Sequence, residues 1–297
     1  MTLPILNAFP RRVVVFNATG TYAARQIAGM REAGTALLGG IALGRGGTSL
    51  DGLPLYDRLT DLPEAPDAAV LYTPPDGTAD AIRICAAARI PTIVAAAEYV
   101  PLHDSLRAAK EAREAGSWLV GPNTLGLCVP GEGLLGSVSP AFCMPGRIAL
   151  IGRSGTLTLA TTRLMTRAGV GQRIAIHIGG DAVIGRNPHE YLAALAEDGR
   201  TRAVLYCGEI GGDKEYALAE ALATFRKPFV ATLVGRHAPA DRQMGHAGAL
   251  IGSDRESAAA KLAALRGAGA HTTATPYEAI EVLKRLASPA WRGREKA

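Results

Sequence analysis

The stretch that decides the fold is RIALIGRSGTLTLATTRLMTRA, residues 147–168. It begins with the apolar run Arg147–Ile151, continues through a glycine-containing turn and ends in the helix-like pattern Thr156–Ala168. A strand that leads through a tight turn into a helix is one half of a βαβ unit. Because the same alternation recurs along most of the 297 residues, the sequence predicts an α/β fold built on parallel sheets.

The alternation is interrupted once, and the interruption predicts two domains. Residues 126–145 are rich in glycine and proline and contain no periodic run, so they are predicted to be a connector. Residues 1–125 are predicted to form a doubly wound domain, and residues 146–297 a second open α/β domain. The predicted strands are Arg12–Asn17, Thr35–Ile41, Ala68–Thr73, Thr92–Ala96, Trp118–Val120, Arg147–Ile151, Gln172–Ile178, Ala203–Cys207 and Pro228–Leu233. The predicted helices are Ala23–Ala33, Thr78–Ala88, His103–Ala115, Thr156–Ala168, Pro188–Glu197, Lys214–Phe225, Asp254–Leu265 and one that starts at Pro276.

The composition is that of a folded protein, with 48% hydrophobic and 20% charged residues. No apolar run approaches the roughly 20 residues that a membrane span needs, and Met1–Pro10 lacks the features of a signal peptide. The expected location is therefore the cytoplasm, with no membrane partner. The four cysteines form no CxxC pair, which argues against a metal site. The net charge of +5 is spread along the chain without a basic cluster, so nucleic acid is not an expected partner.

Three glycine-containing turns follow predicted strands, at 17–23, 44–48 and 152–158. A helix N-terminus offers free N–H groups and a positive dipole end to an anion, which makes such turns candidate phosphate sites. The first turn lacks two glycines of a dinucleotide fingerprint and could equally be a plain βα turn. The second offers flexible backbone and Arg45 to a phosphate, or is a surface turn. In the third, Ser154 either lines a phosphate cradle or only caps the helix. No Walker sequence, GxxxxGK followed by Ser or Thr, occurs in the chain.

One of the six histidines, His246, has a setting that suits chemistry. Its neighbours in Met244–Ala249 are mostly tiny, so the backbone can turn sharply and leave the imidazole accessible. A neutral imidazole is a good phosphoryl acceptor when its other ring nitrogen is fixed by a hydrogen bond. Glu209, which follows a predicted strand, is a candidate for that orienting carboxylate; the alternative is a helix cap or an ordinary loop carboxylate.

These segments, in this order, resemble the alpha subunit of succinyl-CoA synthetase and its relatives, the malate–CoA and citrate–CoA ligases. The similarity extends from about Arg12 to Leu283. Its most specific block is Arg242–Ala249, which looks like the phosphohistidine loop of that family. The resemblance implies an N-terminal Rossmann-like CoA-binding domain followed by a flavodoxin-like domain. Other blocks that match family motifs are Gly121–Asn123, Arg153–Thr158, Ile178–Asp181 and Gly208–Gly212.

The resemblance also assigns candidate site residues. His246 would be phosphorylated and Glu209 would orient it. The phosphate would be held by Ser154, Gly155 and Thr156, at the N-terminus of a helix. No metal ligand is implied in this chain. The CoA site would include Thr19, Gly20, Thr21, Arg45, Tyr72, Thr73, Pro74, Glu98 and Asn123.

The implied function is that of the alpha-type subunit of an NDP-forming acid–CoA ligase, which acts through phospho-His246 and an acyl phosphate. The family binds ATP or GTP with Mg²⁺ in an ATP-grasp domain of a separate beta subunit, so that subunit is an expected partner and a small carboxylic acid the expected substrate. Thr124 and Leu125 replace the usual Cys-Pro, and Tyr99 replaces a glycine. The acid, the choice of nucleotide and the stoichiometry of the assembly are left open by these residues.

Two other functions compete with this interpretation. One is a CoA-binding or regulatory subunit that has lost ligase chemistry, which the altered first turn and the Thr124-Leu125 segment would suit. The other is a nicotinamide-dependent oxidoreductase. It is disfavoured because Gly39 and Gly40 occupy the region where a ribose-binding acidic residue would be expected.

Overall fold

A computed structural model describes residues 3–236, 238 and 250–287. These residues fall into two compact units. The first comprises residues 3–140 together with His177–Arg186, and the second comprises Ala141–Ile176 and the described residues from Asn187 onward. No helix among the described residues is long and apolar enough to cross a membrane.

The first unit contains a parallel sheet with helices joining its strands. Its strands are β1 Val13–Phe16, β2 Leu37–Ile41, β3 Ser49–Leu50, β4 Leu53–Tyr56, β5 Ala68–Leu71, β6 Thr92–Ala95, β7 Trp118–Val120, β8 Gly126–Val129 and β9 Gly133–Gly136. Its helices are α1 Pro4–Asn7, α2 Thr21–Glu32, α3 Pro75–Ala87 and α4 Leu102–Glu114. The sheet order is β3-β4-β2-β1-β5-β6-β7, and all pairs are parallel except β3 with β4.

The central strands of this sheet are buried on both faces, which explains their continuous apolar sequences. Every residue of β1, β5 and β6 is buried. Helix α2 covers the sheet with Ala23, Ile27 and Met30, spaced four and three residues apart along one helical face. Since β1 connects to β2 on one side while β5 lies on its other side, the strand order reverses between β1 and β5. Ligands of open α/β sheets bind at such a switch point, outside the carboxyl ends of the strands.

The second unit repeats this design. Its strands are β10 Pro145–Gly152, β11 Gln172–His177, β12 Ala203–Gly208, β13 Phe229–Leu233 and β14 His271–Thr273. Its helices are α5 Gly155–Arg167, α6 Pro188–Glu197, α7 Lys214–Leu222, α8 Ala258–Gly267 and α9 Pro276–Ala287. These strands lie in the order β14-β13-β12-β10-β11, and β10, β12, β13 and β14 pair in parallel. The switch point of this unit is therefore between β10 and β12.

The α/β class and each predicted strand and helix are confirmed, with small shifts at the ends. One helix starts late: Asp254–Glu256 forms a 3-10 turn and α8 begins at Ala258, because the Ser257 hydroxyl accepts the N–H of Ala260 at 3.2 Å and caps the helix there. The sequence interpretation also overlooked the short elements α1, β3, β4, β8, β9 and β14.

The segment predicted as a connector, 126–145, differs most from its prediction. It contains the antiparallel hairpin of β8 and β9, in which Gly126 pairs with Gly136. Both glycines have positive φ, and a side chain on either would collide with the main chain of the opposite strand. The glycines therefore permit two strands to approach closely rather than marking a linker. Thr35 binds the main chain of Leu134 in β9, donating at 2.7 Å and accepting at 2.9 Å, which joins the hairpin to the first unit.

A buried ionic network holds the core of the second unit. Lys261 and Glu215 are completely buried, with Nζ and Oε2 2.6 Å apart. Lys261 also donates to the main-chain oxygens of Glu209 at 3.1 Å and Gly211 at 2.6 Å. The Tyr206 hydroxyl donates to Glu215 Oε1 at 2.6 Å, and burial together with the Glu215 carboxylate raises the pKa of Tyr206 well above its usual value. A buried charge without its partner is costly, so each member depends on the others.

We expect Lys261→Met to lower the free energy of unfolding by about 3–5 kcal/mol, because it leaves the Glu215 carboxylate buried without a counter-charge. The double variant Lys261→Met, Glu215→Gln should be more stable than the single variant, because a neutral amide can still accept from Tyr206. Denaturant unfolding of the three proteins measures both effects. A single variant as stable as the unsubstituted protein, or a double variant no better than the single, would contradict this account of the network.

Candidate functional site

In the first unit, the predicted CoA residues follow neighbouring parallel strands and so lie along one edge of the sheet. Thr19, Gly20 and Thr21 follow β1, where Gly20 is the N-cap of α2. No acidic residue lies in the first turn of α2, so its positive end is not neutralised locally. The Asn17 side chain donates to the main-chain oxygen of Tyr72 at 2.9 Å, which ties the turn after β1 to the turn after β5. These two turns flank the switch point.

The residues after β5 are held firmly. Tyr72 is buried, its hydroxyl lies 3.3 Å from the Ser137 hydroxyl, and burial raises the pKa of Tyr72. The Tyr22 ring packs edge-on against the Tyr72 ring, with centroids 5.5 Å apart, although Tyr22 is 53% exposed. Thr73 and Pro74 lead into α3: the Thr78 hydroxyl lies 2.8 Å from the Thr73 hydroxyl and donates to the Pro74 oxygen at 2.9 Å. The conformation of these residues is therefore fixed by contacts within the protein.

For the glycine turn around Arg45, the sequence left open a phosphate site or a surface turn. The N–H groups of Arg45 and Gly46 both donate to Asp57 Oδ1 at 3.0 Å, so the backbone of the turn is already hydrogen-bonded within the protein. These bonds, above all the one from Gly46, lower the pKa of Asp57. The Asp57 carboxylate thus occupies the place that a phosphate would take at these N–H groups. The exposed side chain of Arg45 is the part of the turn that can meet an anion.

The remaining CoA candidates follow β6 and β7. Glu98 is exposed in the loop after β6. Asn123 follows β7, is half-buried and has a positive φ of 55°. Its N–H donates to the Ala97 oxygen at 2.8 Å, so the loops after β6 and β7 are also joined.

In the second unit, the predicted phosphate residues begin a helix at the switch point. Ser154 is the N-cap of α5 and accepts the N–H of Leu157 at 3.4 Å, so the capping role does occur. Gly155 and Thr156 are the first two residues of the helix, whose first N–H groups have no acceptor within it. The first turn contains no acidic residue. Capping by Ser154 therefore leaves the positive end of α5 available to an anion.

Glu209 lies beside this helix end, because β12 and β10 are adjacent and Glu209 directly follows β12. Its Oε1 is 3.3 Å from Arg153 Nη2, and both side chains are almost completely buried, at 4% and 2% exposure. The Arg153 N–H donates to the Cys207 oxygen at 3.0 Å. The predicted orienting carboxylate is thus ion-paired with an arginine at the start of the predicted phosphate turn. Its predicted partner, His246, lies outside the described residues, as does the whole block Arg242–Ala249.

Two lysines lie close to this pair. Lys214 begins α7 and is half-buried; burial, and secondly the charge of Arg153, lowers the pKa of Lys214 to about 8. Lys261 donates to the main-chain oxygen of Glu209 from within the core. A lysine beside an open helix N-terminus suits an anionic phosphoryl group. The described residues contain no group of three or more His, Cys, Asp or Glu side chains arranged to hold a metal ion.

Sequence reasoning gave no role to Arg153, Lys214, Lys261 or Asp57. The role of Lys261 could have been predicted from the sequence. It lies between Ala258 and Leu262 in an apolar stretch of α8, where a single charged residue needs a buried partner. The hydrogen bond from the Arg45 N–H to Asp57 could not be predicted in this way, because it depends on how the chain between the two residues folds back.

Comparisons with known proteins agree with this two-part arrangement. A family model described as a CoA binding domain matches residues 10–99, and one described as CoA-ligase matches residues 151–271. The chain is 37% identical over 277 residues to the ADP-forming succinate–CoA ligase subunit alpha 2 of Archaeoglobus fulgidus, covering 93% of this chain and 96% of that protein. It is 33% identical over 282 residues to the corresponding alpha subunit of Staphylococcus aureus, covering 94% and 93%.

Solved structures show the same fold in longer chains. An ATP citrate lyase of Methanosaeta concilii, solved in complex with (3S)-citryl-CoA, matches with a TM-score of 0.82 and 24% identity over 93% of this chain and 49% of that one. A dinucleotide-forming acetyl-coenzyme A synthetase of Ca. Korarchaeum cryptofilum matches with a TM-score of 0.78 and 20% identity, over 93% and 61%. The chain thus spans about half the length of the solved lyase. The identity to curated subunits over nearly their full length confirms the resemblance: this chain belongs to the succinate–CoA ligase alpha-subunit family.

Proposed function

We propose that this chain is the alpha-type subunit of an NDP-forming acid–CoA ligase that acts through phospho-His246 and an acyl phosphate. CoA would bind along the carboxyl edge of the first sheet. A small carboxylic acid would be the second substrate, and ATP or GTP with Mg²⁺ would bind to an ATP-grasp beta-type partner. Family membership supports the reaction class, since curated relatives are named ADP-forming CoA ligase subunits.

One observation carries the proposal: at the β10/β12 switch point, the open N-terminus of α5 lies beside the buried Arg153–Glu209 pair. Phosphoryl transfer depends mainly on positioning and on charge stabilisation, which these groups can supply. The chain segment that contains His246 continues from β13, and β13 is the neighbour of β12 at the same edge.

The reaction would have three steps. The terminal phosphoryl group of the nucleotide passes to a ring nitrogen of His246, and the nucleoside diphosphate leaves. A carboxylate oxygen of the acid then attacks phosphorus, the P–N bond breaks, and an acyl phosphate forms. Finally the CoA thiolate attacks the acyl carbon, and inorganic phosphate leaves.

The residues of this chain would act by holding charge and orientation. The first N–H groups of α5 and the guanidinium of Arg153 would bind the phosphoryl oxygens while the group is on His246. Glu209 would accept the hydrogen of the second imidazole nitrogen, exchanging part of its contact with Arg153 for the histidine. The first, nucleotide-dependent step would use the nucleotide bound to the ATP-grasp beta-type partner.

Thr124, which replaces the usual cysteine, is compatible with an intact loop. Its buried hydroxyl donates to the main-chain oxygen of His177 and accepts the N–H of Gly126 at 2.8 Å. The Leu125 N–H donates to His177 Nδ1 at 2.9 Å. The threonine at this position is therefore part of the hydrogen bonding of the loop, which argues against a loss of structure there.

We expect His246→Asn to abolish acid-labile phosphate on the chain, because no other group would accept the phosphoryl. The measurement is incorporation of terminally labelled phosphate from Mg²⁺-ATP and Mg²⁺-GTP in the presence of the co-purified partner. His271→Asn, at an exposed histidine of β14, is the matched control and should retain the label.

Labelled phosphate remaining on the His246→Asn protein would contradict the assignment of His246. If the unsubstituted protein takes no phosphate from either nucleotide but still binds CoA, the CoA-binding or regulatory function is the better account.

We expect Glu209→Gln to slow phosphorylation on the order of a hundredfold, because the imidazole loses the carboxylate that fixes its orientation. Rapid-quench measurement of labelled phosphate gives the rate. Glu220→Gln, an exposed carboxylate on α7, is the control for loss of one negative charge. An unchanged rate in Glu209→Gln would remove Glu209 from the mechanism.

A further inference from the structure

The motif Ile178–Asp181 has no role in the proposed function, yet it is bound closely to the segment Gly121–Leu125 within the first unit. The Gly185 N–H donates to the Gly121 oxygen at 2.7 Å, and the Gly121 N–H donates to the Ile178 oxygen at 3.3 Å. The Gly180 N–H donates to the Asn123 oxygen at 3.1 Å. The two segments therefore form one hydrogen-bonded structure beyond the carboxyl end of β7.

Asn123 is fixed at both backbone groups within this structure. Its N–H is taken by Ala97, its C=O by Gly180, and its φ of 55° lies in the left-handed region that asparagine tolerates better than most residues. The side chain is the part of Asn123 that remains to contact a ligand.

The orientation of the Asn123 carboxamide follows from its neighbour. Its Nδ2 donates to Asp181 Oδ1 at 2.8 Å. An ionised carboxylate only accepts hydrogen bonds, so the edge of the amide that faces Asp181 must be the NH₂ group. The amide oxygen Oδ1 then points away from Asp181, and no residue in the described part of the chain donates to it.

The position of Asn123 indicates which part of CoA it would meet. The strands β1, β5, β6 and β7 are successive neighbours, so with a spacing of about 4.8 Å the turn after β7 is roughly 14 Å from the turn after β1. The helix end at Thr21 and the side chain of Arg45, on the β1 and β2 side, suit the phosphates of CoA. An elongated ligand anchored there would extend its neutral pantetheine arm, which carries amide N–H donors, towards β7.

We propose that Asp181 is a positioning residue of the CoA site: it takes the amide nitrogen of Asn123 and so presents the amide oxygen as the acceptor for an amide N–H of the pantetheine arm. This inference rests on the proposed function, because it needs CoA along the edge of the first sheet. The two orientations of an asparagine amide are nearly equal in shape, so packing alone does not choose between them. The Asp181 carboxylate does, and this is the role we assign to the Ile178–Asp181 motif.

The test is the Kd of CoA, measured by calorimetry on the complex with its partner. Asp181→Ala should raise the Kd about tenfold, as expected when one ligand hydrogen bond is lost. Asp181→Asn should stay within about threefold of the unsubstituted protein, because its amide oxygen can still accept from Asn123 Nδ2. In the Asn123→Ala background, whose own Kd should also rise, Asp181→Ala should add little, which makes the two effects non-additive.

An unchanged Kd in Asp181→Ala, a full tenfold rise in the Asn123→Ala background, or an Asp181→Asn protein as weak as Asp181→Ala would each overturn the positioning role. Thermal unfolding of each variant identifies a loss of affinity that comes only from misfolding, and the Asn123→Ala pair then decides the question.

Phosphorylation by Mg²⁺-ATP or Mg²⁺-GTP in the same preparations separates this inference from the proposed function. Phosphorylation of His246 does not require bound CoA, so phosphate incorporated into the unsubstituted protein reports on the ligase mechanism independently of the CoA affinities. Absent phosphate with the predicted CoA affinities would contradict the ligase mechanism and support the role of Asp181.

Discussion

The ion pair between Arg153 and Glu209 connects the two halves of the candidate phosphate site. Arg153 belongs to the turn that starts α5, and Glu209 to the turn that follows β12, so the pair bridges the point at which the strand order reverses. Both side chains are almost fully buried, and separating two oppositely charged groups in such a place is costly. The site is therefore stable only when both turns keep their positions. Lys261 reinforces this constraint by binding the main chain of Glu209 and Gly211 from within the core.

The same topological rule operates twice in the chain, with different chemistry at each edge. In the first unit the carboxyl edge presents an open helix end, an exposed arginine and polar groups on four successive strands, which suits a long ligand with phosphates at one end. In the second unit the edge presents an open helix end beside a buried ion pair and Lys214, which suits a single phosphoryl group. The division agrees with the two family models, which match the two parts separately.

How far the sequence predicts this molecule depends on whether a feature is local. The strands were predictable because burial on both faces forces continuous apolar runs, as in β5 and β10, and the helices because glycine or a capping residue marks their ends. The β8–β9 hairpin was not predictable. Glycines such as Gly126 and Gly136 are typical of a linker, but here they allow two strands to pair closely. Asp57 accepts N–H groups from residues 11 and 12 positions before it, and Glu209 pairs with Arg153 in another turn of the sheet edge. Neither separation is a helix or strand spacing, so the sequence pattern did not connect the partners. Family motifs supplied candidates such as Asn123, but its orientation by Asp181 is visible only in three dimensions.

The central claim is that a phosphoryl group held by this chain is a chemical intermediate in making a thioester. It is tested most directly by isolating the phosphorylated complex free of nucleotide and adding CoA with a panel of small carboxylic acids. The account predicts that one acid discharges the phosphate from the chain, with release of inorganic phosphate and formation of the matching acyl-CoA in equal amounts. A phosphorylated chain that no acid discharges in the presence of CoA, or acyl-CoA that forms only when nucleotide is present, would contradict it.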